Sequence, residues 1–186
     1  MSKILPSRQT TEQLMEQYIK DEGLRNHCRM VAAAMGAYAK KLEEDSELWY
    51  QAGLLHDLDY EMYPDEHPLK AVQDLLGNYP EELVKAVRAH GWGYHAEIEK
   101  PATTMEKYLY ACDEISGLMH AYSLMRPQGF EGMKAEKVRK KMQDKAFAAK
   151  INREDIAKGF ELIEKEPAEH ISFLIEVFKK QIGENR

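Results

Sequence analysis

Apolar side chains recur at intervals of three and four along most of the chain, the period of an amphipathic helix. Over residues 24–42, Leu24, His27, Cys28, Val31, Met35, Tyr38 and Leu42 share one face. Residues 11–20 carry Leu14, Met15, Tyr18 and Ile19 in a shorter helix, and residues 46–58 place Leu48, Ala52, Leu55 and His56 on one side. Residues 59–67 are polar, hold Pro64 and read as a loop. Pro68 suits the first turn of a helix that runs to Leu76 and is ended by Gly77. Pro80 opens a helix over 81–90, closed by Gly91 and Gly93. Thr103 with Glu106 three residues later is a capping box, and the helix it starts runs to Met125, before Pro127. Residues 132–145, 153–166 after an Asn152 cap, and 168–182 before Gly183 complete the set. No stretch alternates apolar and polar residues between turns, and Val and Ile are scattered. The expected fold class is all-α, with eight or nine helices.

At 186 residues the chain is the size of one domain with a sizeable core. We read 1–186 as a single domain, because no composition shift marks a boundary. Residues 126–132 hold Pro127, Gly129 and Gly132, and set off a C-terminal helical appendage over about 127–186. The net charge of −6 argues against a stable nucleic-acid partner, which calls for a basic field. A small anionic substrate stays admissible, since a metal reverses the sign inside one pocket. The longest mostly apolar run, residues 30–39, is too short to span a bilayer, and the opening MSKILPSRQT has no apolar core of a signal peptide. Two cysteines, Cys28 and Cys112, make no disulfide framework and read as small buried hydrophobes in a cytoplasmic protein.

The histidines change this picture. His27 and His56 sit on apolar helix faces, and Asp57 follows His56 among Leu54, Leu55 and Leu58. A carboxylate in such surroundings is costly to bury unless it meets a cation, which points to a metal site. His27 upstream and Asp113 downstream, in Tyr110-Ala-Cys-Asp-Glu-Ile115, are the best further ligands. His67 begins a helix and His90 ends one, and both places open onto a shared cleft.

The order His, His-Asp, Asp on successive helices resembles the HD-domain metal-dependent phosphohydrolase superfamily. Leu24-Arg-Asn-His27 resembles the helix of the first histidine, Ala52-Gly-Leu-Leu-His-Asp57 the signature helix, and Cys112-Asp-Glu-Ile-Ser-Gly-Leu118 the helix of the last aspartate. The likeness covers about residues 20–126. It implies an HD-type helical bundle in which His27, His56, Asp57 and Asp113 ligate a divalent metal. It also implies that His67 and His90 hold a second metal, with Asp57 bridging. Two departures stand out. Two-metal members often carry adjacent histidines where this chain has His90-Gly91, and His95 is the nearby substitute. Asp57-Leu-Asp-Tyr60 lacks the Gly-Lys of one large subgroup, which argues against a cyclic-dinucleotide phosphodiesterase.

The expected function is hydrolysis of a phosphate ester of a nucleotide or small phosphorylated metabolite. One or two divalent transition ions (Mn, Fe, Co, Ni or Zn) serve as cofactor, and Asp57 is the catalytic residue that binds metal and holds the attacking water. Lys70, one turn after His67, and Arg88, two residues before His90, are candidates to hold the phosphate, against a solvated helix face. His95, after Gly91-Trp-Gly-Tyr94, is a candidate at the pocket entrance. His120 reads as a helix-packing residue and His170 as a first-turn helix residue. Two other functions compete: a di-iron oxygenase on the same fold, and a metal- or nucleotide-sensing module without turnover. Substrate identity and oligomeric state are open at this level.

Overall fold

A computed structural model describes residues 3–184, with side chains as far as Gln181. The order is α1 (Arg8–Tyr18), α2 (Glu22–Lys41), α3 (Ser46–Leu55), a π-helical turn (Ala71–Leu75), α4 (Glu81–His90), α5 (Thr104–Leu124), α6 (Ala135–Gln143), α7 (Arg153–Leu162) and α8 (Pro167–Glu184). The protein is all-α, and the described residues form no strand beyond one isolated bridge, Trp92 to His95. Among them, no helix is long and apolar enough to cross a membrane.

Helix starts follow local chemistry. Ser7, Asp21, Asp45 and Asn152 accept backbone N–H groups of the turns they precede, and Thr103 and Glu106 form the expected capping box.

Two helices differ from the sequence expectation, and both differences fall at the site. The helix expected over 46–58 stops at Leu55. Leu58 N–H bonds to the Leu55 carbonyl and Tyr60 N–H to that of Asp57, closures that tighten the chain out of the α-helix. His56 keeps α dihedrals as the cap, and Asp57 lies in the turn that follows. The helix expected from Pro68 is instead a short turn that becomes π-helical at Ala71. In an α-helix the Ala71 N–H would bond to the His67 carbonyl. Here the Asp59 carboxylate takes that N–H at 2.7 Å, and His95 Nε2–H takes the His67 carbonyl at 2.8 Å. The His67–Pro68 peptide is cis. Elsewhere ends shift by a few residues, and α8 continues through Gly183, since a glycine weakens a helix without forbidding it.

The core lies between α2, α3, α4 and α5, with α7 and α8 closing it from the C-terminal side. Gly53 lets α3 lie against α2, because a Cβ there would stand 2.8 Å from the Cα of Ala32. Gly159 does the same for α7, where a Cβ would come within 2.9 Å of the Cα of Ala111. Cys28 and Cys112 are free, buried thiols.

His170 is more than a first-turn helix residue. It is fully buried, its Nε2–H donates to the Ala111 carbonyl at 3.1 Å, and its Nδ1 accepts from the Tyr38 hydroxyl at 2.6 Å. It thereby ties α8 to α2 and α5. Burial holds its pKa down at about 4, against an ordinary 6.5. Between those values the unfolded chain binds a proton that the native state refuses. Stability is therefore full above about pH 6.5, falls as pH drops, and levels off near pH 4, with a total loss of about 3 kcal/mol. Urea unfolding at pH 7.5 and pH 5 measures it. His170→Gln should show a visibly smaller drop than the wild type, and equal drops would remove His170 as the cause.

Candidate metal centre

Six side chains from five segments converge at the middle of the bundle. α2 supplies His27, the end of α3 supplies His56 and Asp57, the 56–68 turn region supplies His67, α4 supplies His90 and α5 supplies Asp113. Their donor atoms form two groups of three, His27–His56–Asp113 and Asp57–His67–His90.

In the first group, His27 Nε2 lies 3.0 Å from Asp113 Oδ1 and 3.2 Å from His56 Nε2, and His56 Nε2 is 3.3 Å from Asp113 Oδ1. In the second, His90 Nε2 is 3.1 Å from His67 Nε2, and both face Asp57 Oδ1, at 3.7 and 3.5 Å. The other oxygen of Asp57, Oδ2, faces the first group, 3.4 Å from His56 Nε2 and 3.7 Å from His27 Nε2. Ligands held at about 2.1 Å around a tetrahedral or octahedral ion stand about 3.0–3.4 Å apart. The observed spacings fall on and slightly above that edge length.

The hydrogen bonds behind the cluster decide what it presents. His56 Nδ1–H donates to the Gly53 carbonyl at 2.8 Å, His90 Nδ1–H to the Val87 carbonyl, and His67 Nδ1–H to Asp59 Oδ1 at 2.7 Å. Each neutral imidazole has one proton, and these three use it away from the centre. Their Nε2 lone pairs then converge with two carboxylates, so nearly every atom aimed inward is an acceptor. Such a set is unfavourable alone and suits a divalent cation. The ends of α3 and α4 also deliver His56 and His90, and a helix C-terminus favours positive charge.

The titration shifts report the same field. Burial opposes charge on His56, but Asp57 and Asp113 outweigh it and push its pKa up to about 9. Burial likewise opposes the charge of Asp57 and Asp113, yet the neighbouring imidazoles hold both well below the carboxylate range. Burial keeps His90 below its ordinary value. The next residue on α5, Glu114, goes the other way: burial and the charge of Asp113 push it up to about 8.

The sequence model of the HD domain matches residues 24–118, about half of the chain and all six converging side chains. The chain belongs to the HD-domain family. A search of the curated proteins returns no match. HD domains are in general metal-dependent phosphohydrolases, and the buried His and Asp cluster of this HD domain suits a divalent metal.

The remaining sequence candidates stand outside the two groups. Lys70 Nζ is paired with Asp74 at 2.7 Å and lies over the Tyr63 ring. Arg88 Nη2 donates to the Glu97 carbonyl at 2.9 Å, and His95 is spent on the His67 carbonyl. His120 Nε2 lies 3.0 Å from the Asn26 amide nitrogen and belongs to neither donor group. The family's second adjacent histidine has no room at Gly91, where a Cβ would stand 2.5 Å from Cδ of Pro68. The sequence places Asp59 at the start of a polar loop. It is fully buried, and its two oxygens orient His67 and receive Ala71 N–H. The usable signal was its place two residues after the signature aspartate, with an opposite parity to the exposed Tyr60.

Proposed function

We propose that this HD-domain protein hydrolyses a phosphate ester of a nucleotide or similar small metabolite at a two-ion centre. The observation that carries the reading is the carboxylate of Asp57, whose two oxygens face different donor groups. His27, His56 and Asp113 would hold one divalent ion, His67 and His90 the other, and Asp57 both. A mixed imidazole and carboxylate set fits Mn²⁺, Fe²⁺, Co²⁺, Ni²⁺ or Zn²⁺ better than Mg²⁺. When bound, the ions supply Lewis acidity to a phosphoryl oxygen and acidify water. The chain's own share is to fix the tautomer of His56, His90 and His67 and aim each Nε2 inward through Gly53, Val87 and Asp59, and to keep the floor of the site buried.

Metal analysis of the purified protein, followed by a panel of nucleotides and phosphomonoesters with each ion, tests the reading. Two ions per chain are expected in the wild type, and one in His67→Ala and in His90→Ala. A stoichiometry of one in all three overturns the two-ion centre, and a metal-loaded wild type that releases no phosphate overturns the hydrolase. One observation also favours a second reading: six nitrogen and oxygen donors in two groups could hold two irons for oxygen chemistry. Iron content with oxygen consumption, and without phosphate release, would establish it instead.

A further inference from the structure

The two histidines of the second donor group are joined by one short loop. His90 ends α4, Gly91 follows as its cap, and further along the loop His95 Nε2–H donates to the His67 carbonyl at 2.8 Å. The loop meets the His67–Pro68 segment at both of its ends, since a Cβ on Gly91 would stand 2.5 Å from Cδ of Pro68. Tyr94 N–H closes on the Gly91 carbonyl at 2.9 Å, and Ile98 N–H on that of His95 at 3.1 Å. Gly93, at φ 101°, makes the turn between Gly91 and His95.

The far side of the loop is braced. Trp92 packs on Tyr110 of α5 with ring centroids 5.5 Å apart, and Lys158 Nζ of α7 lies 5.3 Å from the indole. Asp155, buried on α7, accepts from the Tyr110 hydroxyl and from Lys158, each at 2.8 Å. Helix α7 lies beyond the HD match, so chain outside the family's segment steadies a loop that borders the cluster.

The bond from His95 has a specific task. His67 is buried, so its carbonyl needs a partner. The helical partner, Ala71 N–H, is spent on Asp59 at 2.7 Å, and His95 takes its place. Without that donor the carbonyl is an unmet buried acceptor, and the main chain of His67 gains by turning to find another partner. Such a turn moves Nε2, which stands 3.1 Å from His90 Nε2 and 3.5 Å from Asp57 Oδ1.

We propose that His95 is a positioning residue for the ion of Asp57, His67 and His90: it fixes the separation of the two histidines by holding the His67 carbonyl, and it is not itself a ligand. This rests on the two-ion reading and deepens it. The histidine that follows Gly91 thus orients a ligand instead of adding one.

The test is titration of the metal-free full chain with Mn²⁺, with bound metal measured after equilibrium dialysis. The wild type should bind two ions. In His95→Ala the Kd of one ion should rise about tenfold or more, the size expected for a lost orienting partner, while the Kd of the other stays as in the wild type. His95→Gln offers an amide N–H in place of the imidazole Nε2–H and should keep both ions near wild-type affinity. His120→Ala removes a histidine of neither donor group and should bind as the wild type does. Unchanged affinities in His95→Ala, or loss of both ions together, overturn the assignment. So does a His95→Gln that fails as completely as His95→Ala, which is the result expected of a direct ligand. All three leave the two-ion reading intact as long as the wild type binds two ions, and a wild type that binds one overturns both.

Discussion

Asp57→Ala should abolish phosphate-ester hydrolysis in a protein that still folds. Asp57 is the side chain that faces both donor groups, and it carries negative charge into a site walled by His56, His67 and His90. Removing it takes one donor from each group and half of the paired carboxylate charge. The loss of several kcal/mol of transition-state stabilisation corresponds to a fall in turnover of about 10³-fold or more. Metal content should drop below two per chain. The fold should survive, because Asp57 lies in a turn after α3 and contributes no packing of the size of Leu54, Leu55 or Leu58, all fully buried. Turnover, metal analysis and circular dichroism on one preparation check all three parts. Near-normal turnover would take Asp57 out of the mechanism.

Asp59→Asn should act at a distance of one residue from the donors and affect one group only. The carboxylate accepts His67 Nδ1–H with one oxygen and Ala71 N–H with the other, both at 2.7 Å. An amide can offer an acceptor to one of these and must present its own N–H to the second. Either His67 loses the partner that aims its Nε2 at Asp57, or the π-helical turn loses its anchor. Partners of this kind are worth about 10–100-fold in metal affinity, so the ion shared by Asp57, His67 and His90 should be lost first under a chelator. The ion at His27, His56 and Asp113 should stay, because its imidazoles are oriented elsewhere. Asp65→Asn, an exposed acid of the same loop, should change neither. Chelator titration with metal analysis separates the outcomes, and simultaneous loss of both ions in Asp59→Asn would refute a role confined to His67.

Much of this protein was legible along the chain because helices are written locally. The three-to-four spacing, the capping residues and the capping box at Thr103 each act within a few residues, and they set the all-α class and nearly every helix start. The convergence of His27, His56, Asp57 and Asp113 was also legible, since each is a polar group on an apolar face and must share a partner there. What the chain could not disclose were bonds between positions distant in sequence. Asp59 looks like any loop acid until Ala71 N–H and His67 are folded against it, and the π-helical turn follows from that bond rather than from local propensity. Arg88, Lys70 and His95 carry the right chemistry for phosphate, yet which of them is free depends on Glu97, Asp74 and His67. The same holds at Gly91, where the ring of Pro68 takes up the space of a side chain, and at His170, whose burial depends on Tyr38 and Ala111. Sequence by itself determined the helices and the residues that had to meet. Only the tertiary structure decided their orientation and which polar groups remained unspent, because those depend on hydrogen-bond partners that folding brings together.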